Sequence, residues 1–310
     1  MSIWLRHLLL GLALGAFAAA SVQAASVVVL SSAGGAAYTQ ATQALIGELE
    51  KRGQSRHEVL AISADEWAGA APSGARLIVT LGVRACDAVA RSSVQSPVLC
   101  TLLPLDSFER LLRVQGRKTS PRFTVLFLDQ PFERQLSLIR HALPKAKRVG
   151  VLWGPSSMPR ASALKAQALS SGLTLVGASV DMQASLYEAL KEVLQDIDLL
   201  LALPDPNVYN SSTVQNILLA SFRARTPVAT FSPAYVKAGA LLAVYVTPTQ
   251  IGVQAGTLAS AVLLGKELPA VPIHSQDFEV AVNEHVAHSL GLGLSARDLR
   301  EKLRQDEGLP

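Results

Sequence analysis

The chain has 310 residues, of which 49% are hydrophobic and 17% charged, and its formal net charge is +4. This composition excludes a disordered protein, and the length is sufficient for two domains with separate cores. The densest group of basic residues lies between Arg110 and Arg122 without interleaved aromatic side chains, which argues against nucleic-acid binding.

The first 24 residues have the pattern of a secretory signal. Arg6 and His7 precede an apolar run from Leu8 to Ala20, and Val22-Gln23-Ala24 supplies small residues for cleavage. The apolar run is shorter than the roughly 20 residues that a helix needs to cross a bilayer. An uncleaved membrane anchor is the alternative for this segment. Export predicts a periplasmic protein that contacts the membrane only through a partner.

A first series of strands and helices alternates up to Leu128. Its opening strand, Ser26–Leu30, is a run of β-branched residues, which is typical of a parallel strand buried on both faces. The next helix runs from about Ala36 to Arg52 and ends at Gly53. The segment Pro104–Ser120 is predicted to be irregular and basic. Further strands are predicted at His57–Ile62, Arg76–Leu81, Pro97–Thr101 and Phe123–Leu128.

A second series begins with an amphipathic helix at Pro131–Leu143. Strands that alternate with helices of this length indicate parallel βαβ units, so the predicted fold class is α/β, with two Rossmann-like lobes on parallel sheets. The predicted strands are Arg148–Trp153, Leu173–Ala178, Asp198–Leu203, Pro227–Thr230, Ala240–Tyr245 and Phe278–Asn283. The predicted helices are Arg160–Ser171, Gln183–Gln195, Asn210–Arg223 and Gln250–Leu264.

The two cysteines, Cys86 and Cys100, are predicted near the carboxyl edge of the first sheet. Cys86 falls in the first turn of a helix, and Cys100 falls late in the following strand. Export makes a disulfide chemically possible, provided that the Cα atoms lie within about 7 Å. The alternative is that both are small, buried apolar residues.

An ordered set of motifs in the second half resembles a known family. They are Pro144 to Trp153 (PKAKRVGVLW), Asp205-Pro206-Asn207, Pro227-Val228, Gly239-Ala240-Leu241, and Val282-Asn283 followed by Ala287 to Gly291. This set is similar to the ABC-transporter substrate-binding family whose better-known members take up tryptophan and related amino acids. The first lobe departs from the family pattern, because Ser31–Tyr38 is short and Leu103-Pro104-Leu105-Asp106 replaces an expected Asp-Pro pair.

The resemblance implies the type-I periplasmic binding protein fold, in which two lobes close around a solute by a hinge. We expect residues 26–129 plus about 246–268 to form lobe 1, and residues 130–245 plus about 269–310 to form lobe 2. Hinge strands are expected near Leu128–Phe132, Tyr245–Pro248 and Pro269–Ile273.

Ligands of open parallel sheets bind outside the carboxyl ends of the strands, so two facing lobes would bring their loops to one cleft. Hydroxyl groups and helix N-terminal amides of the first lobe suit an anion. In the second lobe, Asp205 would hold an ammonium group, and Trp153 or Phe231 would stack on an apolar or aromatic side chain. The expected ligand-binding residues are Ser31, Ser32, Tyr38, Gly82, Val83, Trp153, Ser156, Asp205, Asn207 and Phe231.

The same residue types also suit ordinary structural roles. Asp205 and Asn207 are common in turns and at helix N-termini, and Ser31 and Ser32 are common in tight strand-to-helix turns. Trp153 would then be a core side chain. The sequence alone leaves these alternatives open.

We expect the periplasmic solute-binding component of an ABC importer, with a small solute and a membrane permease as partners. The alternative is a periplasmic sensor or accessory protein of the same fold that acts through a receptor. No enzyme or cofactor is predicted, because the sequence lacks a G-x-S-x-G elbow, a P-loop and a G-x-G-x-x-G after the first strand. His285 and His288 are accompanied only by Glu284, so a solvated helix face is preferred to a metal site.

Overall fold

The computed structural model describes residues 25–180 and 185–309 and consists of two sheets flanked by helices. The predicted signal, residues 1–24, lies outside the described residues, as does the predicted helix start at Gln183. Within the described ranges, no helix combines the length and the apolar character needed to cross a membrane.

The first sheet is parallel throughout. Its strands are β1 (Val27–Ser31), β2 (Val59–Ser63), β3 (Leu77–Leu81), β4 (Val98–Thr101), β5 (Phe123–Phe127) and β11 (Ile273–His274), in the order β11-β5-β4-β3-β1-β2. The helices around it are α1 (Ala36–Lys51), α2 (Val83–Ala90), α3 (Leu105–Gln115) and α9 (Pro248–Leu263). Strand β1 lies inside the sheet between β3 and β2, which explains its run of fully buried β-branched residues. Ser31 is in register with Ser63 and Leu81, so neighbouring strands end at one edge.

The second sheet has the same layout but is only mostly parallel. Its strands are β6 (Arg148–Trp153), β7 (Thr174–Ser179), β8 (Leu199–Leu201), β9 (Val228–Thr230), β10 (Leu242–Tyr245) and β12 (Glu279–Val282), in the order β12-β10-β9-β8-β6-β7. Its helices are α4 (Phe132–Ala142), α5 (Ala161–Ser170), α6 (Leu186–Val193), α7 (Val214–Arg223), α8 (Pro233–Lys237), α10 (Glu284–Ser289) and α11 (Ala296–Asp306). The edge strand β12 runs antiparallel to β10, which the prediction of a parallel sheet missed.

The segment predicted to be irregular, Pro104–Ser120, contains helix α3, so that prediction was wrong. Phe108, Leu111 and Leu112 have helical spacing and are buried against the sheet, while basic residues occupy the solvent side. Gly116 ends the helix with φ 61°, a left-handed conformation that glycine adopts readily. The basic residues interrupt the apolar residues in the sequence, so the helical spacing was not recognised.

Within residues 25–180 and 185–309, the chain crosses between the sheets three times. Two crossings, after β5 and after β10, coincide with the expected hinge segments Leu128–Phe132 and Tyr245–Pro248. The third follows His274, because Ile273 pairs with Leu126 in the first sheet. We therefore propose that lobe 1 comprises residues 26–129 and about 246–274, and that lobe 2 comprises residues 130–245 and about 275–309.

Arg134 ties two of these crossings together. Its guanidinium donates to the Gln130 side chain at 2.7 Å, in the first crossing, and to the Ser275 carbonyl at 3.2 Å, in the third. It also pairs with Glu307 at 2.5 Å and lies over the Phe278 ring. Since Arg134 is only 2% exposed, these partners stabilise a buried charge next to the first and third crossings.

Candidate ligand-binding site

The carboxyl ends of strands from both sheets meet between the lobes and form a cavity of about 330 Å³, which we call the interlobe cavity. It is lined by Pro104, Leu128, Asp129, Pro204, Phe231, Ser232, Pro233, Tyr245, Val246, Thr247 and Pro248. A smaller cavity of about 150 Å³ adjoins it at Asp129 and Pro204 and also contacts Arg160. Mostly apolar walls with a few polar groups are typical of small-molecule sites.

Asp129 is the acidic residue in the wall of the interlobe cavity. It directly follows β5 in the first crossing, and its Oδ2 accepts a hydrogen bond from the Leu105 amide at 2.8 Å. Burial raises the pKa of Asp129 above its usual range, although the Leu105 amide and the Arg160 guanidinium oppose this shift. The ionised carboxylate is therefore poorly solvated and would be stabilised by a bound cation.

Arg160 and Glu109 form an ion pair between the lobes. The Arg160 guanidinium lies 2.9 Å from the Glu109 carboxylate on α3, and it also contacts the Ser156 carbonyl at 3.4 Å. The two side chains are 25% and 44% exposed, so the pair lies at the rim of the region between the lobes. Arg160 thus places a positive charge beside Asp129.

Aromatic rings form the second-lobe side of the interlobe cavity. Phe231 packs edge-on against Tyr235 and Tyr209, with ring centroids 5.4 and 6.3 Å apart. Tyr245 lines the same cavity, and burial together with the nearby Glu279 carboxylate raises its pKa. Its phenol therefore remains neutral and can donate a hydrogen bond.

The expected first-lobe residues cluster at the start of α2. Ser32 accepts a hydrogen bond from the Ala85 amide at 2.9 Å and so occupies the helix terminus that was expected to bind an anion. Gly82 has φ 90°, and a Cβ atom there would lie 2.6 Å from the Ser32 hydroxyl and 2.8 Å from the Tyr38 hydroxyl. Ser31 donates to the Ile62 carbonyl at 3.4 Å, and Val83 is 41% exposed.

Asp205 has partners within the protein. One carboxylate oxygen accepts from the Ser156 amide, the Ser157 amide and the Ser157 hydroxyl at 2.9–3.0 Å, and the other accepts from the Asn207 amide at 3.0 Å. Asp205 is 2% exposed. A Cβ atom at Gly154 would lie 2.5 Å from this carboxylate, so glycine permits the close approach. Asp205 joins two loops and is not among the residues that line the interlobe cavity.

Of the remaining second-lobe candidates, only Phe231 lines the interlobe cavity. Trp153 is 6% exposed and belongs to the core, where its ring covers Gly177 on the neighbouring strand. Asn207 is exposed, and Ser156 is buried beneath Asp205.

Sequence reasoning missed Asp129, Arg160 and Tyr245. Asp129 lies in a predicted hinge segment directly after a predicted strand, and Tyr245 was predicted as the last residue of a strand and the first of a hinge segment. A charged or aromatic residue at that position is the signal that would have identified them. Arg160 begins a predicted helix and carried no comparable signal.

Cys86 and Cys100 are joined by a disulfide, with Cα atoms 5.6 Å apart. Both residues are fully buried. The bond links the first turn of α2 to the end of β4, and so fixes the helix that follows Gly82 to the sheet.

Residues 50–302 match the family model of ABC transporter substrate binding proteins. A curated relative, the "Tyrosine-binding protein" of Clostridioides difficile strain R20291, is 22% identical over 238 residues, which cover 74% of this chain and 67% of that protein.

Two solved structures have the same two-lobed fold. The ligand-free, open structure of a substrate binding protein with adhesive properties from Clostridium difficile is 19% identical, with a TM-score of 0.69 over 88% of this chain and 96% of that chain. An ABC domain from Streptococcus pneumonia in complex with L-Trp is 18% identical, with a TM-score of 0.58 over 89% and 98% of the two chains. At these identities the likeness establishes the periplasmic binding protein fold.

Proposed function

Because this chain belongs to the ABC transporter substrate-binding protein family, we propose that it captures an aromatic amino acid in the interlobe cavity and delivers it to a membrane permease. Members of this family bind substrates, and we propose that this chain catalyses no reaction. Export to the periplasm is part of the proposal and is supported by the signal-like pattern of residues 1–24.

The observation that carries this proposal is the partly buried Asp129 carboxylate in a cavity with apolar and aromatic walls. A ligand ammonium group would neutralise this charge in a poorly solvated position. Charge-assisted hydrogen bonds of this kind contribute about 1.5–3 kcal/mol. A neutral sugar would leave the carboxylate with only the nearby Arg160 charge and without a cation bound to it.

The side chain and the carboxylate of an amino acid ligand would also have partners in the two cavities. Phe231 and Tyr245 would pack against an aromatic side chain, and Arg160, across the adjoining cavity from them, would attract the carboxylate. The combined cavities have the size of a small-molecule site, which is about 300–1,000 Å³. Two similar proteins, the tyrosine-binding protein of Clostridioides difficile and the ABC domain in complex with L-Trp, support the same class of ligand.

Capture would proceed by closure of the lobes about the three crossings. Asp129 lies in the first crossing, while Tyr245 directly precedes the second. A ligand bound to both would therefore link groups that move relative to each other, so that closure would be coupled to occupancy.

The test is isothermal titration calorimetry of the purified protein with tryptophan, tyrosine, phenylalanine, leucine and glucose. We expect binding of aromatic amino acids and none of glucose. Asp129→Asn should weaken binding of the best ligand by about 10- to 100-fold, which is the loss of one charge-assisted hydrogen bond. Phe231→Ala should weaken aromatic ligands more than leucine.

Asp196→Asn is the matched control, because it removes the same charge from an exposed ion pair with Arg148 before strand β8. The Asp196→Asn variant should bind the best ligand with the same affinity as the wild type. Unchanged affinity in Asp129→Asn, or tight binding of glucose alone, would contradict the proposed ligand class.

A further inference from the structure

A cavity of about 550 Å³, which we call the rear cavity, lies at the opposite end of lobe 2 from the interlobe cavity. It surrounds Pro227 and Val228, where β9 begins, whereas Phe231 follows the end of the same strand at the interlobe cavity. Its volume falls within the range of about 300–1,000 Å³ that is typical of small-molecule sites.

The rear cavity combines an apolar wall with two positive charges. Its apolar wall includes Leu218, Phe222, Val228, Val286 and Leu290. Its charged residues are Arg223 and Arg225, which are exposed and have no acidic partner within the part of the chain that the structure describes. Phe222 is 70% exposed and adds an aromatic ring to the open side of this wall.

A buried hydroxyl group in the same wall has no hydrogen-bond partner. Ser221 is 1% exposed and lines the rear cavity, and its Oγ is unpaired within the described residues. An unpaired buried polar group destabilises the folded state unless a ligand or water satisfies it. A ligand with acceptor oxygens would supply that partner.

The backbone at Arg225 adds an independent observation. Helix α7 ends with the Arg225 amide bound to the Phe222 carbonyl at 3.0 Å and the Thr226 amide bound to the Ser221 carbonyl at 2.9 Å. This pattern usually has glycine at the left-handed position, but Arg225 occupies it with φ 55°. Arginine is strained in this conformation, and such strain is concentrated at functional sites.

We propose that the rear cavity binds a small organic anion with an apolar tail, such as a medium-chain carboxylate. Arg223 and Arg225 bind the head group through charge-assisted hydrogen bonds, and the Ser221 hydroxyl donates a further one. The tail lies against Leu218 and Phe222. This site is separate from the interlobe cavity and takes a ligand without an ammonium group.

The experiment is a titration of the ¹⁵N-labelled protein, followed by NMR, with octanoate, octanol and acetate. Octanoate should shift the amides of residues 218–228 and 286–290. Octanol lacks the charge and acetate lacks the tail, so each should bind at least about tenfold more weakly. Phosphatidylglycerol vesicles form a separate arm that distinguishes a lipid head group from a free acid.

Two variants separate a binding role from a structural one. Arg225→Gly should raise the Tm by about 2–4 °C, because it relieves the left-handed strain, and should weaken octanoate binding about tenfold. Ser221→Ala should keep or raise the Tm and also weaken binding. Lys165→Ala, which removes an exposed positive charge from the same lobe, is the control and should bind like the wild type.

The proposal is overturned if octanol binds as tightly as octanoate, if the shifted amides lie elsewhere, or if Arg225→Gly leaves octanoate affinity unchanged. Binding to the vesicles without binding to octanoate would also overturn it, since the site would then recognise a membrane surface.

Discussion

The Asp129 carboxylate lies partly buried among prolines and apolar side chains, where its ionised form is poorly solvated. In the absence of a ligand, burial of this charge lowers the stability of the folded protein. The same side chain should therefore weaken the fold and strengthen ligand binding. Asp129 differs in this respect from residues such as Asp205, whose hydrogen bonds stabilise the fold directly.

Asp129→Asn should make the empty protein more stable at neutral pH. Burial raises the pKa of Asp129 in the folded state, so the folded protein takes up this proton at a higher pH than the unfolded chain. The wild type therefore becomes more stable as the pH falls through that raised pKa, and it becomes less stable as the pH rises through the same value. The variant has no such group, so its advantage in the urea midpoint should be present at pH 8 and shrink towards pH 4. An equal midpoint at pH 8 would contradict this assignment.

Asp205→Ala should destabilise the fold by about 3 kcal/mol or more. It removes four hydrogen bonds, leaves the buried Ser156 amide without an acceptor, and leaves the Ser157 amide with only the Gly154 carbonyl at 3.2 Å. Asn207→Ala is the control, because its side chain is exposed and surface changes usually lie within about 0.5 kcal/mol. Urea unfolding measures both, and similar midpoints for the two variants would refute the structural role of Asp205.

At the scale of elements, the helix pair α1 and α9 shows how small residues set a packing distance. A Cβ atom at Gly252 on α9 would lie 2.3 Å from the Ala41 carbonyl oxygen on α1, and one at Gly256 would lie 2.8 Å from the Leu45 carbonyl oxygen. Glycine at these two positions lets the helix backbones approach closely. Ile251 and Ala255 then complete the apolar core on that face of the first sheet.

Gly252→Ala should destabilise the protein by about 1–3 kcal/mol, because the methyl group forces the two helices apart. Helix propensity alone predicts the opposite sign, a gain of about 1 kcal/mol. Gly47→Ala, on α1, is the matched control, because a Cβ atom there meets no atom within 4 Å, and it should be neutral or stabilising. Calorimetry should therefore show a lower Tm for Gly252→Ala and an unchanged or higher Tm for Gly47→Ala.

The order of strands and helices could be predicted from the sequence because buried parallel strands such as Val27–Ser31 are continuous apolar runs. Helix α3 escaped detection because its apolar stripe is interrupted by basic residues. The site was harder to predict, since the end of a strand fixes a residue's position but not the direction of its side chain. Trp153 and Asp129 both stand near strand ends, yet Trp153 enters the core and Asp129 lines the interlobe cavity.

The whole molecule combines two lobes, each with its own sheet and core, with connections that bring charged groups together. Arg134 fixes the first and third crossings to each other from within lobe 2. Glu109 and Arg160, by contrast, contact each other from opposite lobes. Because both are partly exposed, their ion pair contributes only about 0–1 kcal/mol. Such an energy is small for folding, but it shifts the populations of open and closed forms, which differ by only a few kcal/mol in a hinged protein.

Glu109→Gln should therefore shift the empty protein towards an open form while lowering its stability by at most about 1 kcal/mol. A loss of up to about 1 kcal/mol changes the ratio of closed to open molecules by up to about fivefold, and small-angle X-ray scattering should record a larger radius of gyration. Raising the salt concentration should produce the same change in the wild type, because screening weakens exposed ion pairs. Glu301→Gln breaks a pair with Arg297 within one helix of lobe 2, so its scattering should match the wild type. If Glu109→Gln also matches the wild type, the ion pair does not hold the lobes together, and ligand contacts such as those of Asp129 must supply the free energy of closure.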